Sequence, residues 1–207
     1  MLLSGPDSDW SSSLESILKQ IRTPYVFIWL DDIFPIEKIN PTNFADALDF
    51  LIKQRGKHMH MLASPTPEKV TADGQYGIYE KGLPYRCTAL GFWNVSYLQS
   101  LLIHGETPWN FEVMGSYRSS YADGFYCTMK PLFSSLHVVE KGRIFGDASA
   151  YCQSHGIPLA TKDREVLFST FRLRSELQKL YFNSVMHIPW KVRVNIMNVF
   201  RKLFISY

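Results

Sequence analysis

The segment Tyr25-Val26-Phe27-Ile28-Trp29-Leu30 is a continuous apolar run of β-branched and aromatic residues, and it ends on two adjacent acids, Asp31 and Asp32. Such a run reads as a β-strand covered on both faces. On its N-terminal side, Trp10, Leu14, Ile17, Leu18 and Ile21 recur at helical spacing, with Ser12 and Glu15 placed as a capping box. On its C-terminal side, Asn40-Pro41 is a helix start, Phe44, Ala47, Leu48, Leu51 and Ile52 form one apolar face, and Gly56 ends it. Helix, strand, acidic loop, helix is the local order of an α/β domain. Ligands of open α/β sheets bind beyond the carboxyl ends of the strands. Acids at that position are either turn residues, for which Asp is well suited, or a site that a hydrated divalent cation carrying a diphosphate would neutralise.

The following segments are shorter and mixed. Residues 57–63 read as a second strand with His58 and His60 on one face, as polar strand residues or as a metal pair. Residues 64–84 are rich in Pro, Gly and polar groups and read as a long loop. A strand is expected over Tyr85–Leu90, and a helix from Asn94 that turns Tyr97, Leu98, Leu101 and Leu102 inward. Thr107, Pro108 and Gly115 bound a helix of about two turns. Strands are expected near 124–129 and 132–139, a turn at 140–142, and a short helix from Asp147 closed by Gly156 and Pro158. From 163 onward the pattern is helical, interrupted at Pro189.

Charge divides the chain unevenly. The net charge is +3, yet from Lys162 onward nine bases face only three acids, so the preceding body is mildly acidic. Within that tail Val192, Ile196, Val199, Phe200 and Leu203 form one stripe, with Lys191, Asn195, Asn198 and Lys202 opposite. Two readings are open for the stripe: it lies against an anionic membrane surface through residues 190–207, or it packs onto the body. No apolar run approaches the ~18 residues of a membrane span, and no signal peptide is evident at the start. Three scattered cysteines, Cys87, Cys127 and Cys152, match neither a disulfide framework nor a zinc spacing and suit a reducing compartment. The bases fit no nucleic-acid module, so no nucleic-acid partner is expected. Nucleophile-elbow, phosphate-loop and dinucleotide motifs are absent from the sequence.

Three blocks carry a family resemblance. The first is Trp10-Ser11 followed by Thr23-Pro24-Tyr25-Val26-Phe27-Ile28-Trp29-Leu30-Asp31-Asp32-Ile33-Phe34-Pro35. The second is Tyr85-Arg86-Cys87-Thr88-Ala89-Leu90-Gly91-Phe92-Trp93, then Gly105-Glu106-Thr107-Pro108-Trp109-Asn110-Phe111-Glu112 and Gly115-Ser116. The third, weaker block is Leu136-His137-Val138-Val139 with Gly142. Together they resemble the bacterial GT-A-fold glycosyltransferases of surface-polysaccharide clusters.

The resemblance implies an α/β fold: a GT-A-like (Rossmann-like) mixed sheet flanked by helices over residues 1–160, with a basic amphipathic C-terminal helical extension over 161–207. Family members begin with a strand and loop that grip the nucleotide base, and only Met1 to Asp9 precede the first block. The nucleotide-binding strand is therefore expected to be missing. By position, Asp31 and Asp32 would stand at the DxD-like motif that holds the donor's divalent metal (Mn²⁺ or Mg²⁺), Asp32 being the better direct ligand, and His137 would complete the metal shell. Glu112 would be the general base facing the acceptor, with Glu106 as its rival. Tyr85, Arg86, Trp93 and Trp109 would bind the acceptor.

The implied activity is metal-dependent, inverting transfer of a sugar from a nucleotide-sugar donor to a glycan or lipid-linked glycan, in the cytoplasm or peripherally on the inner face of the membrane. The alternative is a non-catalytic GT-A-like binding or assembly module that has lost the donor site. Residue by residue, simpler readings also stand: Glu112 as a solvent-facing helix residue pairing with Arg118, His137 as a strand histidine, and Trp93 and Trp109 as core.

Overall fold

A computed structural model describes residues 9–140, 143–159, 166–167, 184 and 187–204. The first helix, α1 (Trp10–Leu18), is capped by Asp9, whose carboxylate accepts from the Ser12 amide at 2.9 Å. The expected box at Ser12 and Glu15 therefore lies inside the helix, and the cap sits three residues earlier. Strand β1 (Tyr25–Ile28) leads through a turn to β2 (Ile33–Pro35). Helix α2 (Pro41–Lys53) begins on the Asn40 cap with Pro41 in its first turn, as the sequence predicts.

Next come β3 (His58–His60), β4 (Lys69–Val70) and β5 (Tyr76–Tyr79). The expected loop over 64–84 thus contains two strands, too short for an alternating pattern to register. Residues 85–90, expected as a strand, are irregular; the strand β6 (Gly91–Asn94) follows them, and α3 (Val95–Leu101) starts on the Asn94 cap. Helix α4 (Pro108–Arg118) runs three turns. Gly115 does not stop it, because Gly115 lies in helical conformation with its face against the Phe111 ring. The rest comprises β7 (Phe125–Thr128), β8 (Ser135–His137), β9 (Val139–Glu140), β10 (Arg143–Phe145), α5 (Gly146–Ser154), β11 (Val166–Leu167) and α6 (Trp190–Phe204). Most of the helical pattern expected from 163 to 189 lies outside the described residues.

The chain forms two compact units. The first takes the segments up to Trp29, from Asn40 to Leu132, and from Ile188 onward. Its centre is a six-stranded mixed sheet in the order β1-β6-β3-β7-β5-β4. Strands β3 and β7 are parallel, while β1 and β3 each run antiparallel to β6. This is a mixed α/β architecture, with helices on both faces of the sheet. On one face, Phe44 and Phe50 of α2 meet Phe27, Phe92, Tyr76 and Tyr126. On the other, Trp93, Phe111, Phe125 and Tyr97 bring α3 and α4 down onto the sheet.

Strand β1 is an edge strand and all four of its residues are only half-buried. The expectation of cover on both faces fails because β1 ends the sheet and has a neighbouring strand, β6, on one side only. The second unit takes Leu30–Ile39 and the chain from Phe133 to His187. It contains a two-stranded sheet of β2 and β8 and a three-stranded sheet in the order β11-β10-β9, backed by α5. Among its described residues, Ala148, Cys152, Ile144, Val138 and Phe133 are buried.

Candidate active site

The second unit holds Asp31, Asp32 and His137. The two acids occupy the centre of a tight turn closed by the Ile33 amide donating to the Leu30 carbonyl at 3.2 Å. Asp31 points into solvent and Asp32 is partly buried. The β2–β8 pairing sets Ile33 opposite His137, which brings a histidine 105 residues away to the turn. His137 Nε2 lies 3.0 Å from Asp32 Oδ2, and the Val138 amide donates to the Asp32 carbonyl at 2.8 Å. The other carboxylate oxygen, Asp32 Oδ1, is buried and has no hydrogen-bond partner among the described residues.

Such an orphaned acceptor is costly unless a cation or water meets it, and a carboxylate beside an imidazole is a donor pair that would fit a divalent metal. Among the described residues no cluster of three or more His, Cys, Asp or Glu side chains is placed to hold a metal. Asp31, with its side chain in solvent, is not part of the Asp32–His137 pair.

The first unit holds the other candidates. Their frame is the irregular loop 85–90, tied to α4 by side chains. The Cys87 amide donates to Ser116 Oγ at 2.9 Å, and Ser116 Oγ donates in turn to the Glu112 carbonyl at 2.6 Å. Trp93 Nε1 donates to the Thr88 carbonyl at 3.0 Å. Arg86 is fully buried: Nε donates to Ser119 Oγ, one terminal nitrogen to the Glu80 carbonyl at 3.0 Å, the other to the Ser119 carbonyl, and the guanidinium lies 4.1 Å from the Phe125 ring centroid.

This corrects the acceptor assignment of Arg86, whose planar fork is consumed by backbone and hydroxyl acceptors inside the protein. Trp93 is likewise corrected to core; it is fully buried and stacks on His58 at 4.0 Å. Tyr85 and Trp109 remain available, at 45% and 55% exposed. Tyr85 also adopts a left-handed φ of 57°, which a bulky residue rarely does.

The two glutamates separate clearly. Glu106 accepts both terminal nitrogens of Arg118 at 2.7 Å, in a bidentate and largely buried pair. Arg118, a conceivable partner for Glu112, is therefore committed to Glu106. Glu112 makes no ion pair among the described residues. Burial pushes its carboxyl up to about 7, against the smaller opposing pull of the Ala89 amide. Trp109 stands one helical turn before it on α4, so an exposed indole and a half-buried carboxyl share one helix face. Sequence reasoning named Glu112 and Trp109 but could not see the loop that supplies the Ala89 amide.

Both ring nitrogens of His58 are taken up within the protein, Nδ1 2.9 Å from the Phe92 carbonyl and Nε2 3.2 Å from Thr88 Oγ1, so His58 and His60 read as buried strand histidines. Both are buried, and burial holds the His60 imidazole down at about 4 and His58 well below its ordinary range, so both are neutral. An open cavity of about 380 Å³ at the start of β3, lined by Arg55, Lys57, Asn94, Ser96 and Tyr97, contains none of the candidate acids. Among the described residues no helix is long and apolar enough to cross a membrane. Comparison with protein-family models, with curated proteins and with solved structures finds no match.

Proposed function

We propose that this chain is a metal-dependent glycosyltransferase of GT-A type. In this reading it moves a sugar, with inversion, from a nucleotide-sugar donor to a glycan or lipid-linked glycan of a surface polysaccharide. The observation that carries the reading is the apposition of Asp32 and His137, with one oxygen of Asp32 buried and unsatisfied. An acid after an early strand and a histidine far along the chain are the two positions that the family resemblance pairs at a metal. Asp32 and His137 would hold Mn²⁺ or Mg²⁺, which when bound supplies Lewis-acid neutralisation of the departing diphosphate.

Glu112 is the proton acceptor. The acceptor hydroxyl oxygen forms the new bond to the anomeric carbon, and the bond to the diphosphate oxygen breaks with its electron pair leaving on the nucleoside diphosphate. The hydroxyl proton goes to the Glu112 carboxylate. A carboxyl held near 7 is a far better base for this than an ordinary one, yet is still substantially ionised at neutral pH. Trp109 and Tyr85 offer the exposed ring faces on which a sugar stacks.

Calorimetric titration with a panel of nucleoside diphosphates tests the donor half. Binding is expected with Mn²⁺ and lost with chelator, and Asp32→Ala should weaken it about tenfold or more, with Asp31→Ala milder. Undiminished binding by the Asp31→Ala/Asp32→Ala double variant would remove the metal assignment. Metal-independent binding, or none by the native chain, would favour the non-catalytic binding module.

A further inference from the structure

We propose that α6 is an interfacial helix whose outer face lies on an anionic lipid surface. The inference stands on α6 and its neighbours in the first unit and is independent of the sugar-transfer reading. The helix is anchored by one face. The Trp190 ring packs edge-on against Tyr121 at 5.3 Å between centroids. It also sits against Gly82, where an added Cβ would come within 2.6 Å of the Trp190 Cβ. Gly82 has φ +71°, so both its conformation and the closeness of the helix require glycine there. Arg193 and Val194, one turn on, are buried, with the Glu68 charge acting on Arg193. Rotation about the helix axis is thereby fixed.

The apolar stripe is on the other side. Val192, Ile196 and Val199 recur at helical spacing and are 46%, 41% and 57% exposed. At these three described positions the stripe does not pack onto the body; Trp190, Arg193 and Val194 make the contact instead. Apart from the buried Arg193, the helix sequence carries Lys191, Arg201 and Lys202 and no acidic residue. An exposed apolar ribbon on an exclusively basic helix has the two features of an interfacial anchor: side chains for the acyl boundary and cations for headgroup phosphates. A second copy is the poorer occupant, because pairing the stripe with itself would set two all-basic helices side by side.

Flotation of the full chain with phosphatidylglycerol–phosphatidylcholine vesicles, and with pure phosphatidylcholine vesicles, tests this. Expected is binding to the anionic vesicles, weakened by salt, and little to the neutral ones. The variant Val192→Ser/Ile196→Ser/Val199→Ser should lose roughly tenfold or more in partitioning. Val199→Glu alone, at the most exposed position, should lose a comparable amount and serves if the triple variant misfolds. Retained binding by both variants, or no binding by the native chain, overturns the proposal. So does a native dimer on sizing that Val199→Glu converts to monomer while vesicle binding is unchanged, which would assign the stripe to a second copy.

Discussion

Glu112 and Glu106 lie six residues apart, and nothing local tells the base from the strut. The difference is made by Arg118, which reaches back twelve residues and closes on Glu106 through two hydrogen bonds of 2.7 Å. Left without a cation, Glu112 is governed by burial. Its folded-state pKa of about 7 lies above the ordinary 4.5, so the native state holds a proton that the unfolded chain releases. The stability this confers is present below about pH 4.5 and is lost as pH rises through 7. Glu112→Gln should therefore be more stable than the native chain above pH 7, by an amount on the order of 3 kcal/mol, and equal to it in acid. Paired chemical melts at pH 4 and pH 8 measure this. In transfer assays with a responsive donor, native activity should climb through a limb near pH 7, and Glu112→Gln should retain donor binding while losing turnover by roughly a hundredfold or more. Full turnover in that variant would dismiss Glu112 as base. Asp32 was legible as an acid after a strand, but its meeting with His137 depends on a β2–β8 register that no local pattern encodes.

Among the elements, caps and apolar faces were the readable part. Asn40-Pro41, Asn94 and Thr107-Pro108 begin helices where the sequence predicts them, because a cap satisfies donors within three residues of itself. Residues 85–90 were misread for the opposite reason. Their apolar content suggests a strand, yet they are held by partners far along the chain, the Cys87 amide by Ser116 and the Arg86 and Cys87 side chains by Ser119, and the strand starts only at Gly91. That glycine has φ +132°, and a Cβ there would collide with the Met59 carbonyl oxygen of β3. Gly91→Ala should consequently cost about 3 kcal/mol or more, visible as a lowered denaturation midpoint. An unchanged midpoint would mean that loop 85–90 can shift without disturbing the sheet. Strands β4 and β5 escaped sequence reading since β4 has only two residues, both exposed, and gains its identity from pairing with β5.

For the whole molecule, class was legible and assembly was not. Alternation of helix and strand signals an α/β protein, but the sheet order β1-β6-β3-β7-β5-β4 and the discontinuous make-up of both units arise from long-range pairing. The central strand β3 carries two buried neutral histidines, so the sheet has an acid weakness. His60 titrates at about 4 in the fold against 6.5 unfolded, and burial also holds His58 well below its ordinary range. Stability from this source is complete above pH 6.5 and is lost as pH falls toward 4. Thermal midpoints in the Glu112→Gln background, which removes the opposing carboxyl, should fall over that interval by the equivalent of roughly 3 kcal/mol for His60 alone. His60→Gln should flatten the slope; an unaltered slope would exclude His60 as the cause.

The turn at Asp32 also has a temporal consequence. Its carbonyl is bonded to the Val138 amide and its carboxylate to His137. On the ribosome, the acidic pair emerges with the first strand and waits while 105 further residues are made before its histidine exists. A nascent chain arrested anywhere short of that point carries Asp32 and lacks the histidine that meets its carboxylate, so the pair forms late in synthesis.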